Sequence, residues 1–445
     1  MTPTRLPSLL EAELAGLPSG PILVAFSGGL DSSVLLHALA ASSAARARGL
    51  RAVHVDHRLH RDSANWSKHC GDLARSLGLD LLECATEVVS SPDLGPEASA
   101  RRARYRAIEA VLAPGEILAL AHHLDDQAET VLLKLLRGAG PEGLAAMREL
   151  RRFGPGFLWR PLLAVPRAVL RGYAEHHDLR WIDDPSNSDL HIARNFLRHE
   201  VLPHLHRHWP QAAASIAQSA VRARAAADFI DAEAASALDR MRAADPAIID
   251  VDAWLALPDA LRDPVLRRWL RALDLPEPNR FQVNELERQL ATAGRDREPC
   301  VRWPGAEVRR YRGRLHALAP SLLPPPDWQA AFDGAVLELP AGLGSLQLVS
   351  TGRAATPVRL AEPLHARFRR GGERLRPAGS AHVRELRKLW QEAGVPPWQR
   401  QRTPLLFDAR GELCAVGDRW LSAAAAALFE HSHCRMVFRR PGTVD

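Results

Sequence analysis

The six residues Ser27-Gly28-Gly29-Leu30-Asp31-Ser32 have the composition of a phosphate-binding loop. Adjacent glycines let backbone N–H groups approach an anion without a Cβ in the way. The helical pattern that follows would add unpaired N–H groups and the positive end of a helix dipole. The serine hydroxyls are further donors, and Asp31 can orient a donor or hold Mg²⁺. The competing interpretation is a strand-to-helix turn capped by Ser and Asp, but the complete pattern favours phosphate binding.

A second candidate cluster lies in the predicted helix around residue 101. On a helix, Arg101 shares a face with Arg104 and Tyr105, which follow three and four positions later. Two guanidiniums presented together suit the charge that develops on a departing phosphate group. The alternative is a solvated basic face with no ligand.

The third cluster, from His122 to Thr130, reads HHLDDQAET and precedes VLLKLLRGAG. Its apolar residues recur with helical spacing, so the polar residues lie at the start of a helix. There, Asp125 and Asp126 can bind Mg²⁺ or a substrate ammonium group, but acidic residues at this position also simply cap a helix. The spacing of His122 and His123 is not typical of a zinc site.

Short apolar runs position these clusters, and helical patterns near 33–48, 63–77 and 97–112 separate them. The runs are Pro21–Phe26, Arg51–His57, Leu79–Ala85 and Glu116–His122. Strands that alternate with helices in this way predict an α/β fold with a doubly wound parallel sheet. Such sheets bind ligands at the carboxyl ends of their strands, where the first and third clusters lie.

The rest of the chain predicts two further domains. Residues 209–323 are rich in Ala, Arg and Leu and read as a helical domain after an N-terminal domain of residues 1–208. The prolines at 324–326 are a plausible linker. Alternating apolar residues beyond it predict a small α+β domain over 327–445.

Composition restricts the class of protein. Apolar residues make up 46% and charged residues 25% of 445 residues, which is typical of a globular chain. No apolar run is long enough to span a membrane, and the first residues do not resemble a secretion signal. Five scattered cysteines without a CxxC pair argue against a disulfide framework or a zinc ribbon. We therefore expect a cytoplasmic protein.

The net charge of +6 favours a polyanionic partner only weakly. The bases are nearly all arginine, since the lysines are only Lys68, Lys134 and Lys388. Two of these, Lys134 and Lys388, lie in motif-like stretches and are candidate functional residues.

The motifs resemble known families. The loop at Ser27–Ser33 is similar to the pyrophosphate loop of N-type ATP pyrophosphatases. The run His122–Met147, followed by RPLL, DPSN and Arg194–Pro203, closely resembles tRNA(Ile)-lysidine synthases. RLRPAG, LRKLWQEAGVPPWQRQRTPLLF and GDRWLS resemble the C-terminal region of that family's longer members. In one departure, Arg58 stands where the resemblance leads us to expect a glycine.

The resemblance implies a two-step reaction on tRNA(Ile) with a CAU anticodon. ATP, with Mg²⁺, would adenylate the C2 oxygen of the wobble cytidine. Free L-lysine would then displace AMP to give lysidine, so that the tRNA reads AUA as isoleucine.

Residue roles are hypotheses on the same basis. Ser27, Gly28, Gly29, Leu30, Asp31 and Ser32 are expected to bind ATP, with Asp31 on Mg²⁺, while Arg101 and Arg104 stabilise phosphate charge. Asp125 and Asp126 are expected to bind lysine or Mg²⁺, with His122 and His123 orienting groups or transferring protons. Further contacts to lysine or tRNA are assigned to Glu129, Lys134, Arg194, Arg387, Lys388, Trp398 and Arg400. Trp398 is equally well explained as a core residue.

Two other functions stay open from the sequence. A tRNA 2-thiolation enzyme with the same loop would normally carry paired CxxC cysteines, which this chain lacks. A non-enzymatic tRNA-binding protein with a nucleotide-binding fold is disfavoured by the intact motifs. The oligomeric state is undetermined, and a homodimer is compatible with the sequence.

Overall fold

The computed structural model describes residues 5–56, 63–86, 96–294, 297–320, 323–352 and 356–439. Arg58 lies outside these residues. The chain divides into two compact units, Met1–Ile230 and Asp231–Asp445. The division into three domains with boundaries near 208 and 323 stays a prediction from the sequence.

The first unit is built on one six-stranded sheet with the strand order β3-β2-β1-β4-β6-β5. Its strands are β1 Ile22–Ala25, β2 Leu50–Asp56, β3 Leu81–Ala85, β4 Ile117–Ala119, β5 Leu150–Phe153 and β6 Gly156–Trp159. All pairings are parallel except that of β5 with β6. The predicted doubly wound parallel sheet is therefore confirmed.

In the described residues of this unit, ten helices precede a long eleventh. They are α1 Leu6–Ala15, α2 Leu30–Ala41, α3 Ser43–Ala47, α4 Ser63–Ser76, α5 Pro96–Val111, α6 Leu124–Leu136, α7 Pro141–Leu144, α8 Arg167–His176, α9 Ala193–Phe196 and α10 Leu202–His208. A 3₁₀ turn spans Pro185–Ser188 and a π-helical segment spans Leu197–Val201. Helix α11, Ala212–Met241, contains the boundary between the two units.

Helices cover both faces of the sheet, which is why its strands are apolar on both sides. On one face, Ile22 and Val24 of β1 pack in a core with α1, α2 and α8. On the other face, Leu23 packs with Ile108 of α5 and with Leu112, which follows that helix. Successive side chains of a strand point to opposite faces, so the short strand β1 contributes to both cores.

The chain order of the strands reverses between β1 and β4. From β1 the chain builds β2 and β3 on one side and then crosses to β4 on the other side. The loops that leave β1 and β4 therefore diverge, and a crevice forms between them at the carboxyl ends of the strands. The loop at Ser27 and the cluster at His122 follow these two strands.

The second unit contains helices α12 Val251–Leu255, α13 Asp259–Ala272 and α14 Arg280–Thr292. They pack with an antiparallel sheet of β7 Ile248–Asp250, β8 Cys300–Trp303, β9 Ala306–Tyr311 and β10 Arg314–Leu318 in one core. The helices agree with the sequence prediction for this region, whereas the sheet was not predicted.

The C-terminal part of the second unit combines small antiparallel sheets with three short helices. Its strands are β11 Gln329–Phe332, β12 Leu337–Glu338, β13 Ser345–Ser350, β14 Leu364–Arg367, β15 Arg374–Leu375, β16 Arg384–Glu385, β17 Leu405–Phe407, β18 Leu413–Val416, β19 Trp420–Leu421 and β20 Cys434–Arg439. Its helices are α15 Leu386–Glu392, α16 Pro397–Arg402 and α17 Ala423–His431. None of the helices in the described part of the chain has the length and apolar character needed to cross a membrane.

Candidate active site

The loop between β1 and α2 is held by bonds among its own residues. Ser32 donates from Oγ to the Gly29 carbonyl over 3.0 Å, and its Oγ lies 3.1 Å from Ser27 Oγ. Gly29 is the N-cap of α2 and no side chain caps it. N–H groups in the first turn of a helix lack intrahelical partners, so this helix start can receive an anion.

Gly28 cannot be replaced without disturbing the loop. Its φ is +81°, in the left-handed region that favours glycine. A Cβ added there would lie 2.6 Å from Ile182 Cδ1 and 3.0 Å from Cys70 Sγ. The Ile182 N–H also donates to the Gly28 carbonyl over 2.9 Å. The segment that precedes DPSN therefore packs directly on the loop.

His123 begins helix α6 at the end of β4. It is the N-cap residue, and its backbone N–H donates to Asp126 Oδ2 over 3.0 Å, which is one half of a capping box. In the other half, the Asp126 N–H approaches His123 Nδ1 at 3.4 Å. These residues therefore do cap the helix, as the alternative interpretation of the sequence proposed. Capping does not explain why further carboxylates surround the His123 ring.

Three carboxylates surround the buried His123 ring. Nε2 lies 3.6 Å from Asp31 Oδ2 and 3.4 Å from Asp126 Oδ2, and Nδ1 lies 3.6 Å from Asp125 Oδ2. Burial alone would lower the pKa of His123, but the carboxylates outweigh it and raise that pKa to about 10. A protonated ring has no acceptor nitrogen, so the ring pairs with the three carboxylates through its charge, at 3.4–3.6 Å, and the contact with the Asp126 N–H is secondary. His123 thus links the loop after β1 to the helix after β4.

Asp126 and Glu129 are clamped by two arginines. Arg194 donates from Nη2 to Asp126 Oδ1 over 2.9 Å and from Nε to Glu129 Oε2 over 2.6 Å. Arg198 donates to the same Asp126 oxygen over 2.9 Å and to Glu129 Oε1 over 2.7 Å. Burial raises the pKa of Asp126, but His123 and the two arginines lower it more, so its pKa lies well below the usual range. The four side chains form one network, with Glu129 fully buried.

Asp125 connects α6 to α8. Its Oδ2 accepts a hydrogen bond of 2.9 Å from the Arg167 N–H, at the first residue of α8. Burial raises the pKa of Asp125, but the bonds from His123 and Arg167 lower it overall. The Arg167 guanidinium lies 3.7 Å from Asp31 Oδ1, so Asp31 and Asp125 share two neighbours.

His122 has an environment opposite to that of His123. Arg160 donates from Nε to His122 Nδ1 over 3.1 Å. Burial lowers the pKa of His122, the charge of Asp126 raises it, and nearby arginines lower it. The result is a pKa of about 3. His122 is therefore neutral at physiological pH.

Arg101 and Arg104 lie on α5, as predicted. Arg101 is exposed, donates to the Tyr105 hydroxyl over 3.3 Å, and is close enough to His122 to lower that pKa. Arg104 is close to Asp184 of the DPSN segment. Arg101 therefore lies near the cluster at His122, and Arg104 lies near the DPSN segment.

Lys134 lies at the other end of α6 from His123, and the remaining candidate residues belong to the second unit. Lys134 is exposed in the last turn of α6, about 16 Å along the helix from His123 at 1.5 Å per residue. Arg387 and Lys388 are exposed on α15 of the second unit. Trp398 is buried, with ring centroids 5.2 Å from His316 and 6.0 Å from Tyr311, and Arg400 donates to the Tyr311 hydroxyl over 3.0 Å. Burial favours a packing role for Trp398, the alternative raised from the sequence.

Asp31 is the residue best suited to an Mg²⁺ ion. Its Oδ1 is buried and has no hydrogen-bond partner in the described residues. Across those residues, no group of three His, Cys, Asp or Glu side chains could hold a metal by itself. A carboxylate oxygen that lies beside a phosphate loop and accepts no hydrogen bond, although the Arg167 guanidinium is 3.7 Å away, matches the usual binding of Mg²⁺, which also takes substrate phosphates and water as ligands. The residues therefore fit this cation.

The sequence-based list omitted four residues that complete the cluster. They are Gln127, Arg160, Arg167 and Arg198. Arg198 had a detectable signal, because it follows Arg194 by four positions and so shares its helix face. Arg160 directly follows strand β6 and Arg167 begins helix α8, and the fold places both beside the cluster. Their spacing in the sequence does not predict these contacts.

Family models match three parts of the chain. Residues 4–205 match a PP-loop domain, residues 249–316 match a TilS substrate binding domain, and residues 364–438 match a TilS substrate C-terminal domain. The matches follow the same order as the sequence motifs.

Curated relatives align over most of the chain. A tRNA(Ile)-lysidine synthase of Xanthomonas campestris pv. campestris (strain 8004) is 44% identical over 92% of this chain and 95% of its own length. One of Xylella fastidiosa (strain Temecula1) is 46% identical over 91% of this chain and 92% of its own length. Among solved structures, the U34-tRNA thiolase NcsA from Methanococcus maripaludis is 17% identical with a TM-score of 0.41, covering 49% of this chain and 77% of that one.

Proposed function

The chain belongs to the tRNA(Ile)-lysidine synthase family, and we propose that the crevice between β1 and β4 is where it joins free L-lysine to the wobble cytidine of tRNA(Ile) with a CAU anticodon. As a member of this family it is an enzyme that modifies tRNA and uses ATP. The observation that carries the proposal is the 3.6 Å contact between Asp31 of the ATP loop and His123 of the acidic cluster. It brings a phosphate-binding loop and an amine-binding group of carboxylates into one crevice.

The reaction has two displacement steps. In the first, the C2 oxygen of cytidine attacks the α-phosphorus of ATP, the bond to the bridging oxygen breaks, and pyrophosphate leaves. In the second, the ε-amine of lysine attacks C2, the bond from C2 to the adenylate oxygen breaks, and AMP leaves. A pyrimidine carbonyl is a poor electrophile, so the adenylate is needed as a leaving group of low basicity.

The ATP loop would bind the phosphates through backbone N–H groups of Gly28, Gly29 and Leu30, with Ser27 and Ser32 shaping the loop. When bound, Mg²⁺ would neutralise phosphate charge, and Asp31 would hold it. Arg101 and Arg104 would stabilise the charge that builds up as pyrophosphate leaves. The proximity of Arg101 to His122 supports this role, because it puts the guanidinium beside the crevice.

The network of Asp126, Glu129, Arg194 and Arg198 suits the backbone groups of an amino acid. It offers carboxylates for the α-ammonium group and guanidiniums for the α-carboxylate. The arginines are 21% exposed and Asp126 is 11% exposed, so one side of the network is accessible. A zwitterion could exchange with the internal ion pairs at little cost in net charge. The ε-amine would then extend toward Asp125.

The ε-amine must lose a proton before it attacks. His123 is a poor acceptor, because its carboxylate neighbours keep it protonated, and neutral His122 is a weak base. We therefore propose that both histidines orient their neighbours, and that water takes the proton, because the pKa of Asp125 is also lowered. A cytoplasmic location and a homodimer stay predictions from the sequence.

Incorporation of radiolabelled lysine into unmodified tRNA(Ile) tests the proposal. We expect ATP-dependent incorporation at the wobble cytidine with the wild-type chain and its loss with Asp31→Ala. Asp72→Ala, which removes an exposed carboxylate from α4, is the control and should keep full activity. Absence of incorporation by the wild type, with ATP still consumed in the presence of tRNA, would instead favour thiolation or another nucleophile.

A further inference from the structure

Arg160 is one of the residues that line a cavity of about 310 Å³. Four arginines line it: Arg148, Arg151, Arg160 and Arg224. We refer to it as the arginine cavity. It lies wholly within the first unit, and none of the roles assigned above uses its interior.

The arginine cavity has an excess of positive charge. Its lining contains four guanidiniums and one carboxylate, that of Glu142, and Arg148 also pairs with Asp228 over 2.6 Å. Burial lowers the pKa of Arg160, Tyr105 raises it, and the positive charges of Arg151 and Arg101 lower it. Converging like charges are costly for the protein alone, and an anion in the cavity would remove this cost.

The wall of the arginine cavity is fixed by three sets of side-chain bonds to the backbone. Gln127 holds Met147 with two bonds, one to its carbonyl at 2.9 Å and one from its N–H at 3.0 Å. Arg160 donates to the Arg148 carbonyl over 2.6 Å, and Arg224 donates to the Ala145 carbonyl. A guanidinium carries about five N–H donors, so Arg160 and Arg224 keep donors beyond these bonds. The site is therefore preorganised rather than a mobile basic surface.

We propose that the arginine cavity binds a backbone phosphodiester of the RNA substrate, next to the nucleotide that reacts. This rests on the proposed function, because Arg160 lines the cavity and also contacts His122 in the crevice where the base must enter. Guanidiniums suit phosphate oxygens because their planar donors can bind two of them at once. Pyrophosphate, the inorganic product, would be bound by the loop at Ser27–Ser32 that follows β1. The RNA is therefore the substrate that needs a second anion site.

Two adjacent arginines of β5 provide a matched test. Arg151 lines the cavity, whereas the side chain of Arg152 points to the other face of the strand and lies 4.6 Å from the ring of Phe157. Both are exposed, so Arg151→Ala and Arg152→Ala remove the same charge from the same strand. The dissociation constant of the full chain for unmodified tRNA(Ile) would be measured over a range of salt concentrations.

We expect Arg151→Ala to raise the tRNA dissociation constant about ten-fold, as for loss of one charge-assisted hydrogen bond. The slope of log affinity against log salt should also fall by about 0.7, as for one lost contact with single-stranded RNA. Arg152→Ala should change neither, and both variants should bind ATP like the wild type.

Equal tRNA affinities and salt slopes for the two variants would overturn the proposal. So would a change in ATP or pyrophosphate binding by Arg151→Ala without a change in tRNA binding, because the occupant would then be the inorganic product. Denaturant unfolding of each variant checks that the fold is kept. Lysine incorporation by the wild type is measured separately, so that failure of the proposed function is distinguished from failure of this inference.

Discussion

His123 is a buried histidine whose charge depends on three carboxylates. Its pKa is raised from 6.5 to about 10 in the folded protein. A histidine whose pKa is raised by folding stabilises the protein fully below its unfolded pKa, and this contribution is lost as the pH rises through the folded pKa.

The stability of the wild type should therefore fall between about pH 6.5 and 10 because of His123. His123→Asn keeps a residue that can cap α6 but cannot be protonated, so its unfolding free energy should decline less over this range. Urea unfolding of both proteins at several pH values measures the difference. Parallel curves would mean that His123 carries no extra proton in the folded state.

Arg198 neutralises two buried carboxylates, Asp126 and Glu129. Arg198→Ala should lower the free energy of unfolding by about 3 kcal/mol, since removing one partner leaves buried charge uncompensated. Arg75→Ala is the control: its ion pair with Asp72 is 76% and 57% exposed, and such pairs contribute little. If denaturant titrations show similar losses for both variants, the network is not a buried charge cluster.

At the scale of elements, the turn from β1 to α2 depends on Gly28 much more than on Gly29. Gly28→Ala should cost about 1–2 kcal/mol for the left-handed backbone alone, plus the contact with Ile182. Gly29→Ala should be tolerated, because its φ is −74° and the nearest atom to an added Cβ is 3.6 Å away. Thermal or denaturant unfolding distinguishes them, and equal stability would contradict the structure of the loop.

The elements that carry the site could be predicted because their signals are local. Apolar runs predicted β1 to β4, and the polar residues after two of them predicted the crevice. Strands β5 and β6 escaped prediction because LRRF and GFLW are four residues long and do not alternate clearly. The sheet of β8, β9 and β10 escaped because the composition of the preceding region indicates only helix.

At the scale of the whole molecule, charge and burial separate two kinds of C-terminal residue. Arg387 and Lys388 are exposed, whereas Trp398 is 4% exposed and packs on Tyr311 and His316. The double substitution Arg387→Ala and Lys388→Ala should weaken tRNA binding and leave the unfolding midpoint unchanged. Trp398→Ala should lower stability by about 3–5 kcal/mol. Binding and melting measurements on both variants test this, and a stable Trp398→Ala variant that binds tRNA poorly would favour a direct contact.

Sequence reasoning reached the cluster in the crevice but not the arginine cavity. Its arginines, at 148, 151, 160 and 224, come from a loop, strand β5, the residue after strand β6, and α11. Only the folded chain brings them together. Arg160 is the first residue of the RPLL motif, but nothing in that motif indicates which other residues it contacts.

The clamp of Asp126 and Glu129 by Arg194 and Arg198 also restricts how this enzyme can evolve. Each single replacement leaves a buried charge without its partner and lowers the stability of the enzyme. A lineage that altered one position would therefore be less fit until a compensating change arose. The four positions should therefore drift as a unit or not at all. Random mutagenesis followed by selection for activity should recover paired exchanges at these positions more often than single ones.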